Sequence, residues 1–243
     1  MPFFPKTKTS HARRMLFDAK CVFVLTGAGI SVASGIPSFR GKGGLYNKPE
    51  FLKWAFPESH EQDPIGGWQA FEMARETIGR AKPNAAHEAL AAFARGREVN
   101  LFTQNVDGLH ACAGGVAKEI HGSLHRYRCQ NQSCAHVEEA PENVLAEPKR
   151  CPLCHASLRH DVVLFGENVR HVASLKEALI RCDTVLLVGT SGVVTDTGTI
   201  ARSAKHFGKR VIEVDPSWFT RATFWTSTSI RQPAERALPL ILT

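Results

Sequence analysis

Long apolar runs are missing from this chain. The longest, Cys21 to Leu25 and Val185 to Val188, are strand-sized, far below the roughly 20 residues that cross a bilayer, so a membrane-spanning protein is not expected. The first twenty residues carry Lys6, Lys8, Arg13, Arg14 and Lys20 but no apolar h-region. That argues against a secretory leader and stays compatible with a short organelle-targeting extension; the cytoplasm is the expected location. No internal repeat, low-complexity tract or obvious linker points to an array or a tethered module. Seven cysteines, an odd number, do not make a disulfide scaffold. A basic stripe with interleaved aromatics is also absent: the net charge is +7, but the cations are spread along the chain. An ordinary solvated surface is therefore preferred, and no specific nucleic-acid partner is expected.

What is present suits a globular enzyme. With 43 % hydrophobic and 22 % charged residues, 243 positions suffice to bury a full core. Strand-like runs at Val22 to Leu25, Val99 to Thr103, Val162 to Phe165, Thr184 to Val188 and Arg210 to Val214 alternate with helical stretches. This predicts an α/β fold, a Rossmann-like doubly wound parallel sheet. Two stretches break the alternation, one helical at about 48–82 and one cysteine-bearing at about 123–158. Both read as insertions that together form a smaller helical and zinc-binding domain. The larger domain then takes about 11–47, 83–122 and 159–243 of a single catalytic unit, 1–243.

Cys129 and Cys134 have four residues between them, sixteen more precede Cys151, and two separate Cys151 from Cys154. Two such pairs can bring four thiolates to the corners of a zinc tetrahedron, a closed site that staples rather than catalyses. His136 and His155 are nearby but unnecessary. The acidic and amide residues Gln130, Asn131, Glu138, Glu139, Glu142 and Glu147 make this ribbon a poor phosphate-binding surface. Cys112 and Cys182 read as small packed hydrophobes.

Leu25 to Ser31 places Gly27 and Gly29 just after a strand, where a tight turn lets backbone amides approach a pyrophosphate. Val32 stands where the third glycine of the dinucleotide fingerprint belongs, so a generic strand-to-helix turn competes with that reading. Gly35 to Gly41 puts Phe39 and Arg40 on a loop close in sequence. Val188 to Gly192 ends a strand on small hydroxyl residues, and the Thr103 to His110 segment sets Gln104, Asn105 and Asp107 beyond another. Asp215 ends the Arg210 strand, either to hold adenosine ribose hydroxyls and favour NAD, or simply as a turn residue before Pro216. His121, between Ile120 and Gly122, is a candidate base, although a lone histidine is usually structural.

Taken in order, Gly27 to Ser31, Gly35 to Gly41, Thr103 to His110, His121-Gly122, the four cysteines, Phe165-Gly-Glu167 and Gly189-Thr-Ser191 closely resemble the sirtuin family over about residues 20–240. The resemblance implies an NAD-dependent protein lysine deacylase, with NAD as co-substrate, one structural zinc ion and acylated-lysine proteins or peptides as partners, acting as a monomer. It implies His121 and Asn105 as catalytic residues. It also implies Ala28, Phe39, Arg40, Gln104, Asn105, Asp107, Gly189, Thr190, Ser191 and Ala234 around the cofactor, joining Gly27, Gly29, Ser31 and Asp215, which the turn and strand-end readings place there. Val163 and Phe165 lie in a segment similar to the family's substrate-pairing strand. Ala55 and Arg75 look like acyl-pocket residues of the branch that accepts succinyl and malonyl groups, with Glu72 in place of the usual tyrosine. Three residues apart on a helix, Glu72 and Arg75 are expected to pair, which favours neutral acyl groups. Asp215, Thr195-Asp196 and Leu164 also depart from the family's usual residues. Two alternatives are an NAD-dependent ADP-ribosyltransferase or NAD hydrolase, and a non-catalytic NAD-binding module.

Overall fold

The computed structural model describes residues 6–38 and 52–243. Phe39 and Arg40, both expected at the cofactor, and the start of the helical insertion lie outside the described residues. Six parallel strands, β1 (Cys21–Thr26), β2 (Glu98–Thr103), β3 (Lys118–Glu119), β7 (Thr184–Val188), β8 (Arg210–Val214) and β9 (Thr228–Ile230), form one sheet in the order β3-β2-β1-β7-β8-β9. After β1 the chain winds outward one way through β2 and β3, then returns to the other side of β1 and winds outward through β7 to β9. The doubly wound reading holds. The order reverses between β1 and β7, which opens a crevice at the carboxyl ends of those two strands.

The central strands are apolar throughout because both faces are covered. Alternate residues serve opposite layers. Val22 and Val24 of β1, Leu186 and Val188 of β7, and Ile212 and Val214 of β8 join one core, which is covered by α1 (Lys6–Phe17), α4 (Ala85–Ala94) and the last helix, α8 (Ala234–Leu242). Phe23 and Leu25, Val185 and Leu187, and Val211 join the other, covered by α6 (Val172–Arg181) and α7 (Thr197–His206). Helix α4 starts at a capping box: the Asn84 side chain accepts from Ala86 N at 2.9 Å and His87 Nδ1 accepts from Asn84 N at 3.3 Å. Helix α7 starts at Asp196, whose carboxylate accepts from Thr199 N at 3.1 Å and Thr199 Oγ1 at 2.7 Å. The Thr195-Asp196 departure thus has a capping role.

A second, antiparallel sheet comprises β5 (Val137–Glu139), β4 (Gly122–Cys129) and β6 (Leu158–Val162). One expectation fails here. The run Val162 to Phe165 belongs to no parallel strand; Val162 closes β6 and 163–165 form a loop. Its apolar residues pack beside the helical stretch instead, and a short apolar run carries no signal of strand direction. That stretch contains α2 (Pro57–Gln62) and α3 (Pro64–Gly79). Trp68 of α3 packs with Tyr127, Leu158 and two of the clustered cysteines, so the two insertions share one small core. Cys112, read as a packed hydrophobe, is exposed at the end of α5 (Leu109–Cys112), whereas Cys182 is buried. Among the described residues no helix is long and apolar enough to cross a membrane.

Candidate active site

The crevice is built by loops that touch backbone to backbone. Gly27 N donates to Val188 O at 3.0 Å and Gly29 N to Gly189 O at 2.9 Å. A Cβ on Gly29 would fall 2.6 Å from Gly189 Cα, so only glycine allows the contact. Both glycines stand on the turn expected to approach a pyrophosphate. Their amides are committed to the β7 loop rather than free to meet a pyrophosphate, and their role is to let the loops after β1 and β7 close on each other.

Beyond β2 the chain supplies a buried polar cluster. Ser31 Oγ donates to Asp107 Oδ2 at 2.7 Å, and Asn105 Nδ2 donates to Ser31 Oγ at 3.0 Å and to Asp107 Oδ2 at 3.2 Å. Asp107 Oδ1 accepts from Leu109 N at 3.0 Å. Gln104 Nε2 donates to Thr190 Oγ1 at 2.9 Å, linking the β2 and β7 loops. Among the described residues the Asn105 carbonyl Oδ1 is buried without a hydrogen-bond partner. An orphaned acceptor costs about 1–3 kcal/mol, so this atom fits a ligand hydroxyl. Beneath the cluster, His110 Nε2 donates to Thr26 Oγ1 at 2.9 Å, which donates to Thr103 Oγ1 at 2.9 Å, which accepts from Asn105 N at 3.1 Å. Burial pushes His110 down to about 3, so the ring is neutral and serves as a fixed donor.

His121 lies between β3 and β4. Its Nδ1 is 2.9 Å from Gln104 O, and a carbonyl can only accept, so Nδ1 carries the proton and Nε2 keeps its lone pair. Burial lowers its pKa, partly offset by that carbonyl, so the ring is neutral at pH 7. Gly122 follows with φ of 81°, and a Cβ there would meet Asp161 O at 1.9 Å. The chain can therefore turn from His121 into β4 only through glycine. Val163 N donates to His121 O at 2.9 Å, tying the 163–165 loop to that histidine.

The four thiols of Cys129, Cys134, Cys151 and Cys154 all lie within 4.8 Å of one another, with Cys129–Cys154 at 3.4 Å and Cys134–Cys151 at 3.7 Å. A tetrahedron with zinc–sulfur bonds of ~2.3 Å has sulfur–sulfur edges of about 3.8 Å, so these side chains fit a four-sulfur zinc site. His136 is not a fifth ligand; it donates to Glu138 at 2.9 Å.

Comparison with known proteins agrees with this geometry. Residues 27–196 match the model of the Sir2 family. The chain belongs to the Sir2 family. It is 39 % identical over 97 % of its length to a protein of Thermus thermophilus named NAD-dependent protein deacylase, covering 94 % of that protein. Among solved structures, it superposes on a Sir2 homolog–NAD complex with a TM-score of 0.85 and 33 % identity, covering 96 % of this chain and 92 % of the other. A Sir2 homologue mutant in complex with 2′-O-acetyl ADP ribose gives a TM-score of 0.86 at 33 % identity, covering 96 % and 94 %.

In this Sir2 chain the remaining expected residues fall into two groups. Asp215 is buried at the end of β8; its Oδ1 accepts from Ser217 N at 2.8 Å, so it does cap the turn, and burial raises its pKa. Ala234 is buried at the start of α8. Phe165 N donates to Ala55 O at 2.8 Å and its ring packs on Phe56 at 5.1 Å. Glu72 and Arg75 lie deeper. Arg75 donates to Glu72 Oε2 at 2.6 Å and Oε1 at 3.1 Å, and to Pro141 O and Asn143 O at 2.7 and 2.8 Å. Glu72 also accepts from Tyr127 Oη at 2.6 Å, His160 Nε2 at 2.8 Å and Leu145 N at 2.9 Å. Burial would raise the Glu72 carboxyl, but these donors together hold it well below the usual carboxylate range. Sequence reasoning finds the Glu72–Arg75 pair from its helical spacing. It misses Tyr127 and His160, which are 55 and 88 residues away in the chain and carry no local signal.

Proposed function

We propose that this protein is an NAD-dependent protein lysine deacylase, which moves an acyl group from a lysine side chain to ADP-ribose and releases nicotinamide. The observation that carries this reading is the state of His121: Nδ1–H held by Gln104 O and a free Nε2 beside the crevice. NAD supplies an ADP-ribose unit whose bond to nicotinamide can break and whose hydroxyls can accept the acyl group. Gln104, Asn105, Asp107, Ser31, Gly189, Thr190 and Ser191 would line the cofactor together with Gly27, Ala28, Gly29, Asp215 and Ala234.

His121 Nε2, on a ring that burial keeps neutral, removes a proton from a ribose hydroxyl. Asn105 Oδ1, otherwise unpaired, accepts from a ribose hydroxyl or a water and fixes its direction. Asp107, held by Ser31 and Leu109 N, keeps the Asn105 amide oriented. The 163–165 segment, bonded to His121 O and Ala55 O, supplies backbone for an extended acyl-lysine peptide. Because four of the five N–H groups of Arg75 already serve Glu72 and two carbonyls, and Glu72 offsets its charge, neutral acyl groups are preferred over an acyl carboxylate. The smaller unit of α3, β4, β5 and β6 with its zinc is a structural domain, and the protein acts as a cytoplasmic monomer.

Mass spectrometry of NAD incubated with acetyl-, succinyl- and long-chain acyl-lysine peptides tests this. The expected result is peptide-dependent nicotinamide and acyl-ADP-ribose, lost by about 10²–10⁴-fold in His121→Ala, with acetyl or longer neutral chains turned over faster than succinyl. Nicotinamide without deacylation would move the assignment to NAD hydrolysis or ADP-ribosyl transfer. No turnover at all would favour a binding module, and faster succinyl turnover would overturn the acyl preference.

A further inference from the structure

Between β8 and β9 the chain turns its polar residues in and its aromatic residues out. Thr220 Oγ1 donates to the buried Glu213 carboxylate, Thr223 Oγ1 does so at 3.3 Å and Ser229 Oγ at 3.1 Å, while Arg231 lies 2.7 Å from it. Ala222 is buried among the helices of the second core. Pinned this way, the segment exposes Trp218 at 87 %, Phe219 at 64 %, Phe224 at 77 % and Trp225 at 41 %. Apolar rings gathered at one place on a surface mark an interaction site more often than single ones do.

Beside them, against the start of α7, is an open cleft of about 310 Å³ whose lining includes Phe219, Trp225, Arg202, Arg221, Asp196 and Thr199. Among the described residues neither guanidinium makes a hydrogen bond or a close ion pair, although Arg221 is near enough to help Thr199 hold the Asp196 carboxyl below its usual range. The Asp196 carboxylate is occupied in capping α7 through Thr199. Two cations and one capped carboxylate leave the cleft positive. Arg221 N donates to Ser191 O at 3.3 Å, and a Cβ on Gly192 would fall 2.9 Å from Arg221 Cβ. One wall of the cleft therefore continues into the loop that closes the cofactor crevice.

We propose that this cleft is an accessory site for an acidic flank of the acylated protein substrate: a carboxylate seats on Arg202 and Arg221, and a neighbouring large apolar side chain lies against Phe219 and Trp225. The proposal rests on the deacylase reading. Charge complementarity selects an acidic partner, and the guanidinium fork suits a carboxylate. Three features favour a peptide over a nucleic-acid strand. Phe219 and Phe224 meet edge to face at 5.4 Å and 68°, so part of their surface is spent on each other instead of forming a stacking platform. Among the described residues two cations line the cleft, where a phosphate backbone wants a row. The carboxylate of Asp196 would repel a polyanion more than a single acid.

The test compares an acetyl-lysine peptide carrying an Asp-Glu-Phe flank, at several spacings on either side, with the same peptide carrying Ser-Gly-Ser. Both are run on wild-type protein, on Arg202→Glu and on Trp225→Ala, with NAD saturating. The expected result is a KM about 10-fold lower for at least one acidic spacing at unchanged kcat, lost in either variant. The Ser-Gly-Ser peptide should turn over equally in all three proteins, which also shows that the variants fold. Equal KM values for the flanks on wild-type protein would overturn the site while leaving the deacylase reading intact, and absence of turnover on any peptide would overturn both. A thymidine oligonucleotide that quenches tryptophan emission where the acidic peptide does not would also overturn it. So would self-association of the chain that Trp225→Ala abolishes.

Discussion

At the scale of single residues, the proposed chemistry rests on which ring nitrogen of His121 carries a proton. Gln104 O decides that, because an acceptor beside Nδ1 leaves only one tautomer with a satisfied bond. Burial disfavours the imidazolium and lowers the folded pKa, which keeps the ring in the neutral form that the proposed base needs. Protonation of His121 should therefore set the acid limb of kcat/KM, and the expected limb lies below pH 6.5, the ordinary histidine value. A pH–rate profile with a non-titrating acetyl-lysine peptide checks this; a limb at or above that value would contradict the buried, neutral assignment. The same scale explains the small residues around the base. Gly122 carries the chain past Asp161 O, and Gly29 brings the β1 loop onto Gly189, so a methyl group at either place would separate elements that share the site.

At the scale of elements, Glu72 does for the small sheet what Glu213 does for the far edge of the large one. It gathers donors from α3, β4, β6 and the 141–145 loop on one buried carboxylate. Removing one partner of a buried pair leaves an uncompensated charge, which costs about 3–5 kcal/mol. Glu72→Ala should therefore lower stability by about that amount in a denaturant titration at pH 7, with a smaller loss for Glu72→Gln, which keeps an acceptor. A loss under about 1 kcal/mol would mean that Arg75 finds new partners. The pH dependence has a definite sign. The folded carboxyl is held below its unfolded value of about 4.3, so its contribution is complete above that pH and is lost as the pH falls through the folded value.

At the scale of the whole molecule, the zinc tetrad joins the small sheet to α3. Cys129 and Cys151 sit in one core with Trp68, Tyr127 and Leu158, so the metal is coupled to packing as well as to its ligands. One zinc per chain is expected by metal analysis. A strong chelator should lower the thermal midpoint and expose four reactive thiols, whereas the parallel sheet, held by its own two cores, should keep most of its helical signal. Full retention of the midpoint after chelation would show that the four thiols do not hold a stabilising metal.

The periodicity of the chain by itself determined the doubly wound sheet. Strands buried on both faces must be apolar at every position, and β1, β7 and β8 are recognisable for that reason. Cysteine spacing determined the metal tetrad, and the order of short motifs determined the family, because ligand geometry and tight turns are local requirements. Four matters were decided only by the tertiary structure. It assigned Val162 to an antiparallel strand, committed the amides of Gly27 and Gly29 to the neighbouring loop, and surrounded Glu72 with Tyr127 and His160. It also brought Arg202 of α7 to Phe219, Arg221 and Trp225, forming a cationic, aromatic cleft where the sequence shows cations dispersed along the chain. The physical reason is the same in each case: a hydrogen bond or a charge depends on what lies across a few ångströms of space, and the chain places those partners tens of residues apart.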